Sequence, residues 1–81
     1  MANDRAAVLG TGSWGTALAV HLGTAGHRVA LWGRDESLVQ ALGQHRTNNP
    51  YLPGILLPDT VHPTISIAEA VDGARFVVVA V

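Results

Sequence analysis

An apolar run, Ala6-Ala7-Val8-Leu9, is cut off by Gly10-Thr11-Gly12-Ser13-Trp14-Gly15, and helical spacing begins immediately after it. Few folds accommodate that order. Four consecutive apolar residues have no polar face, so they suit a strand covered on both sides, as in a parallel sheet. From Trp14 the apolar and small residues fall at Trp14, Ala17, Leu18, Leu22 and Ala25, with His21 on the same side, which is the spacing of one helix face. Gly26 stands where a helix end wants a left-handed residue, so the helix is expected to stop there. Val29-Ala30-Leu31-Trp32 then reads as a second buried strand. Strand, glycine turn, helix and strand together make a βαβ unit.

The rest of the chain continues the alternation. Ser37 to Leu42, with Leu38, Val39 and Leu42 on one side, predicts a short helix, and Asp35 is placed to cap its free N–H groups. Between Asn48 and Pro63 the four prolines (Pro50, Pro53, Pro58 and Pro63) and Gly54 exclude a long helix or a central strand. A long ordered loop carrying Tyr51, Leu52, Ile55, Leu56 and Leu57 is expected there, of the kind that often serves binding. Thr64-Ile65 predicts a brief strand, Ile67 to Val71 a short helix closed near Gly73, and Phe76 to Val81 a wholly apolar, strongly β-prone run. The expected order is β-α-β-α-loop-β-α-β. That is the α/β class, the first half of a Rossmann-type doubly wound parallel sheet. A buried strand needs neighbours on both sides, so a chain whose last residues are its most apolar strand is expected to continue beyond Val81.

The chemistry lies in the glycines. G-x-G-x-x-G is a weak pattern alone, but here it follows the first strand and opens the first helix, the context in which it binds a dinucleotide. Gly10 makes the tight turn, Gly12 lets the backbone approach a pyrophosphate with no Cβ in the way, and Gly15 lets the helix pack closely on the strand. The free N–H groups and positive dipole end of the helix then face the phosphates. A phosphate loop of the Gly-Lys-Ser/Thr type is excluded, because the chain has no lysine. Folds that select NAD place an acid at the end of the second strand, on the ribose 2′-OH. This chain has Trp32-Gly33-Arg34-Asp35 instead. The glycine leaves space, and the Arg34 guanidinium suits a 2′-phosphate, so NADP as well as NAD is expected. Asp35 is left with two roles, helix cap or ribose ligand.

Composition bounds the alternatives. The chain is 48% hydrophobic and 14% charged with a net charge of −1, a folded-protein balance with no electrostatic case for nucleic acid or an anionic membrane. It has no cysteine, and His21, His27, His45 and His62 do not pair at metal-ligand spacing, so packing or surface roles are expected for them. Met1-Ala2-Asn3-Asp4-Arg5 lacks the layout of a signal peptide, and no segment approaches the roughly 20 apolar residues that span a bilayer. A cytoplasmic protein without membrane insertion is expected.

The blocks Gly10-Thr11-Gly12-Ser13-Trp14-Gly15-Thr16-Ala17-Leu18-Ala19, Leu31-Trp32-Gly33-Arg34-Asp35, Asn48-Asn49-Pro50-Tyr51-Leu52-Pro53-Gly54, Leu57-Pro58 and Val77-Val78-Val79-Ala80-Val81 come in that order. Together they resemble the opening of the bacterial NAD(P)-dependent glycerol-3-phosphate dehydrogenases, over nearly the whole chain. The resemblance implies hydride transfer between glycerol 3-phosphate and dihydroxyacetone phosphate, a step that supplies the phospholipid backbone. It implies cofactor contacts at Ser13, Trp14 and Arg34, with Tyr51 a further candidate. Residues 1–81 are then the N-terminal part of an NAD(P)-binding domain. The catalytic lysines and the ligands of the triose-phosphate substrate are implied to lie beyond Val81, so no catalytic residue is assigned here. A homodimer is compatible with this reading. The residues alone also leave open another hydride-transfer enzyme of the 3-hydroxyacyl-CoA, ketopantoate or 6-phosphogluconate type, or a nucleotide-binding module without catalysis.

Overall fold

A computed structural model describes residues 4–80. They form β1 (Arg5–Leu9), α1 (Ser13–Thr24), β2 (Arg28–Trp32), α2 (Glu36–His45), β3 (Thr47–Asn48), β4 (Leu52–Leu56), β5 (Val61–Thr64), α3 (Ile67–Val71) and β6 (Phe76–Val79). The apolar strands make one four-stranded sheet in the order β5-β2-β1-β6, every pair parallel. Val8 lies between Leu31 of β2 and Val78 of β6. The chain moves outward from β1 to β2 to β5, then returns past β1 to lay down β6. Parallel crossovers are right-handed, so this reversal carries α3 to the face of the sheet opposite α1. β1 and β6 therefore flank a switch point in the strand order, where open α/β sheets bind ligands. The α/β expectation and its doubly wound topology are met.

The helices end as local chemistry dictates. α1 closes with Gly26 at φ 100°, the His27 N–H donating to the Leu22 carbonyl and the Gly26 N–H to that of Gly23. α2 begins at Asp35, whose carboxylate accepts from the Leu38 N–H at 3.2 Å, and runs three residues past the predicted end to His45. It stops at Arg46, a non-glycine residue at φ 59°, whose guanidinium donates to the Pro58 and Val61 carbonyls at 2.6 and 2.7 Å. That clamp positions β5. α3 starts at Ser66, whose hydroxyl accepts from the Glu69 N–H.

The core is Val8, Ala19, Val29, Leu31, Leu42, Leu57, Val61 and Ala80, with Leu18, Val20, Leu22 and Leu38 packed around it. Its composition corrects one expectation. The buried residues of α1 are Gly15, Thr16, Ala19 and Gly23, whereas Trp14, Ala17, His21 and Ala25 are exposed and Leu18 and Leu22 only partly covered. Hydrophobic spacing finds only the flank of the buried face, Leu18 and Leu22, because the centre of α1 lies too close to the sheet for large side chains. A Cβ on Gly23 would stand 2.7 Å from Val61 Cγ2 and 2.8 Å from Thr60 Oγ1.

Three further expectations change. The proline-rich segment is not a plain loop: β3 and β4 form an antiparallel hairpin with an irregular register, outside the main sheet. The third strand of the sheet starts at Val61, earlier than Thr64, and includes Pro63, which an edge strand tolerates because its outer side needs no N–H. The last strand ends at Val79, and Val77 and Val79 are 44% and 65% exposed, because among the described residues only β1 flanks it. Its expected extension to Val81, like the reading of Met1 to Asn3, lies outside the described residues. Among the described residues no helix is long and apolar enough to cross a membrane.

The difference between core and hairpin surface is measurable. Leu42 is fully buried and Leu56 is 68% exposed. Leu42→Ala is expected to lower unfolding free energy by about 2–5 kcal/mol, and Leu56→Ala by less than about 0.5 kcal/mol, read from guanidinium denaturation midpoints.

Candidate functional site

The carboxyl ends of β1 and β2 and the segment after β6 open into one cleft of about 490 Å³. Gly10, Thr11, Gly12, Trp32, Gly33, Arg34 and Ala80 line it. It sits at the switch point. The structure also has a smaller cavity of about 280 Å³ walled by Arg5, Arg28, Glu69 and Asp72 among others, which shares no lining residue with the cleft.

Each glycine of the motif has a different reason to be glycine. Gly10 has φ 139°, a backbone state that side chains disfavour, and its N–H donates to the Trp32 carbonyl at 2.8 Å, tying the turn to β2. At Gly15 a Cβ would collide with the Gly10 carbonyl, standing 2.9 Å from its carbon and 3.3 Å from Ala80 Cβ. Gly15 thus permits close helix–strand packing, as expected. Gly12 differs from both. It has ordinary extended angles, φ −72° and ψ −172°, and a Cβ there would meet nothing within 4 Å. Nothing among the described residues fills the space a side chain would take at this position, so the backbone there is open to the cleft. Gly12 is also the N-cap of α1, and no side chain caps that helix. Its first-turn N–H groups are left for an external acceptor, which an anion at a helix N-terminus supplies.

Arg34 is exposed at the rim of the cleft, and among the described residues no hydrogen bond engages its guanidinium. Asp35 serves as the cap of α2. Gly33 corrects a detail of the sequence reading. It is buried, and the space a Cβ would take is filled by Thr11, whose Cγ2 and Oγ1 would lie 2.6 and 2.8 Å away. The missing side chain makes room for Thr11 of the glycine turn, while Gly33 itself lines the cleft.

The hairpin reaches the same place from the other side. Ser13 Oγ donates to the Tyr51 carbonyl at 2.6 Å, so the turn between β3 and β4 rests on the first residue of α1. Trp14 (64% exposed) and Tyr51 (49%) both present their rings to solvent, and neither they nor Ser13 line the cleft. The structure thus brings Gly10, Gly12 and Arg34 into one cavity, with Gly15 behind it and Ser13, Trp14 and Tyr51 beside the helix start. Sequence reading missed the part played by Asn48 and Thr16, both buried. Asn48 Nδ2 donates to the Thr11 carbonyl at 2.8 Å and to Thr16 Oγ1 at 2.7 Å. In the sequence Asn48 is a polar residue beside Asn49-Pro50, and only the folded contact shows what it does.

Residues 5–81 match the family model described as the NAD-dependent glycerol-3-phosphate dehydrogenase N-terminus. The chain is 53% identical over 76 residues to a glycerol-3-phosphate dehydrogenase [NAD(P)+] of Stenotrophomonas maltophilia, covering 94% of this chain and 22% of that protein. It is 43% identical over 81 residues to the one of Listeria monocytogenes, covering all of this chain and 24% of that protein. Among solved structures it resembles the Coxiella burnetii glycerol-3-phosphate dehydrogenase, with TM-score 0.91 and 32% identity over 98% of this chain and 24% of that one. The chain therefore spans about a quarter or less of the length of these relatives.

The glycines separate packing from ligand space. Gly15→Ala is expected to destabilise the fold by several kcal/mol because backbone must move, whereas Gly12→Ala, which enters open space, changes stability by about 1 kcal/mol or less. Thermal melts of the two variants check this. Equal losses would mean that Gly12 is a packing residue too.

Proposed function

This chain belongs to the family of NAD-dependent glycerol-3-phosphate dehydrogenase N-termini, and from that premise we propose that it is the cofactor-binding part of an oxidoreductase. The enzyme interconverts sn-glycerol 3-phosphate and dihydroxyacetone phosphate with NADP or NAD. It is cytoplasmic and supplies the backbone of glycerophospholipids.

One observation carries the cofactor reading: the open space at Gly12, beside an uncapped helix start, at the switch point of a parallel sheet. That combination fits a pyrophosphate, which needs close backbone approach, free N–H donors and the positive end of a helix dipole. Gly10 and Gly12 bring main chain to the phosphates. Arg34, on the rim, holds a 2′-phosphate by charge-assisted hydrogen bonds. Ser13 keeps the hairpin turn against the helix start through its bond to Tyr51, and Trp14 and Tyr51 offer exposed aromatic faces there. When bound, the nicotinamide gives or accepts the hydride. The chain contains no lysine, and none of its residues is assigned the proton transfer that accompanies that step. Its part is to bind and orient.

Cofactor choice tests the reading. By calorimetric titration the protein is expected to bind both NADPH and NADH. Hydrogen bonds to charged groups are worth roughly 1.5–3 kcal/mol, so Arg34→Ala should weaken NADPH by about 10- to 150-fold and leave NADH nearly unchanged. The preference for NADPH should also shrink as salt rises, since Arg34 is exposed. Equal losses for both cofactors would remove Arg34 from the 2′-phosphate, and failure of the unaltered protein to bind either would overturn the proposal.

A further inference from the structure

Asn48 is 1% exposed, yet it belongs to the hairpin and not to the cleft. The atom 2.8 Å from the Thr11 carbonyl oxygen must be its amide nitrogen, because two carbonyl oxygens cannot bond each other. The same nitrogen donates to Thr16 Oγ1 at 2.7 Å, and the Thr16 hydroxyl in turn donates to the Thr11 carbonyl at 3.2 Å. Two donors thus converge on one carbonyl in the middle of the glycine turn. Asn48 Oδ1 is left buried without a partner among the described residues, so the network is built around the nitrogen.

The consequence follows from peptide geometry. The Thr11–Gly12 bond is trans, as are all those described, and in a trans peptide the C=O and the next N–H point in opposite directions. Pulling the Thr11 carbonyl toward Asn48 turns the Gly12 N–H away from Asn48, and Gly12 lines the cleft. No acceptor among the described residues meets that N–H. We infer that Asn48 is a positioning residue for dinucleotide binding: through the Thr11 carbonyl it presets the Gly12 N–H toward the pyrophosphate and couples the hairpin to the cleft. The inference rests on the cofactor reading above and assigns Asn48 no contact with the cofactor. Preorganisation of this kind acts on affinity by sparing the peptide plane a search when the anion arrives.

The test compares a ligand with a pyrophosphate and one without. NADPH and 2′-AMP, which carries the adenosine and 2′-phosphate only, are titrated against the full protein, with thermal melts in parallel. Asn48→Asp keeps the shape but replaces the donor with a carboxylate that repels the Thr11 carbonyl. In that variant NADPH affinity should fall roughly tenfold or more, as for loss of a well-placed charge-assisted hydrogen bond, while 2′-AMP binds as before. Thr16→Val, which removes one side of the network, should show the same pattern more weakly, and it decides the matter if Asn48→Asp does not fold. Unchanged NADPH affinity, or equal loss of both ligands in a folded variant, would overturn the inference and leave the cofactor reading standing. If the unaltered protein binds neither nucleotide, the cofactor reading falls and this inference with it.

Discussion

The closeness of α1 to the sheet is the constraint on which the rest of this structure depends. Gly15, Ala19 and Gly23 recur every four residues along the helix, and each presents little or no side chain to the strands. Without that stripe the helix would stand further off, since a Cβ at Gly15 or Gly23 runs into backbone or into Thr60 and Val61. Distance matters most at the helix start. Only a helix seated directly on β1 can leave the strand through a turn as short as Gly10 to Gly12 and place its first N–H groups at the strand's carboxyl end. The packing stripe and the ligand cleft are two consequences of one arrangement.

The hairpin is a second layer built on the first. Its prolines keep it out of the main sheet, and its own pairing is short and irregular. What holds it are contacts with residues far away in sequence: Asn48 with Thr11 and Thr16, Tyr51 with Ser13, and, just beyond it, Arg46 with Pro58 and Val61. Side-chain hydrogen bonds supplement a short ladder. A segment held this way can sit beside a binding turn without adding a strand to the sheet, and its position follows from the turn it touches.

Cleft chemistry is divided between main chain and side chain. Main chain supplies the donors at Gly12 and the helix start, where no side chain competes for them. Among the described residues lining the cleft, Arg34 is the one cation. This division matches a ligand whose central anion is common to many nucleotides and whose peripheral phosphate distinguishes one from another. Asp35, the nearby acid, caps the α2 N-terminus through one carboxylate oxygen.

Strand, glycine turn, helix and strand were legible in the sequence because they are set by local rules: apolar runs, glycine at positive φ, a capping aspartate and a closing glycine act within a few residues. The turn at Gly10 and the close packing at Gly15 belong to that legible part. The buried face of α1 was not, because hydrophobic spacing records which residues are apolar and not how near the helix lies to its neighbour. Nor was the strand containing Pro63, which depends on its place at the sheet edge, nor the filling of Gly33's space by Thr11. Asn48 shows the limit best. By itself it is a polar residue in a proline-rich stretch, and only folding brings it against a carbonyl 37 residues earlier. Local sequence determined the elements and the motif; tertiary structure decided the orientation of the peptide planes within that motif, because such orientation is set by partners that are distant in the chain.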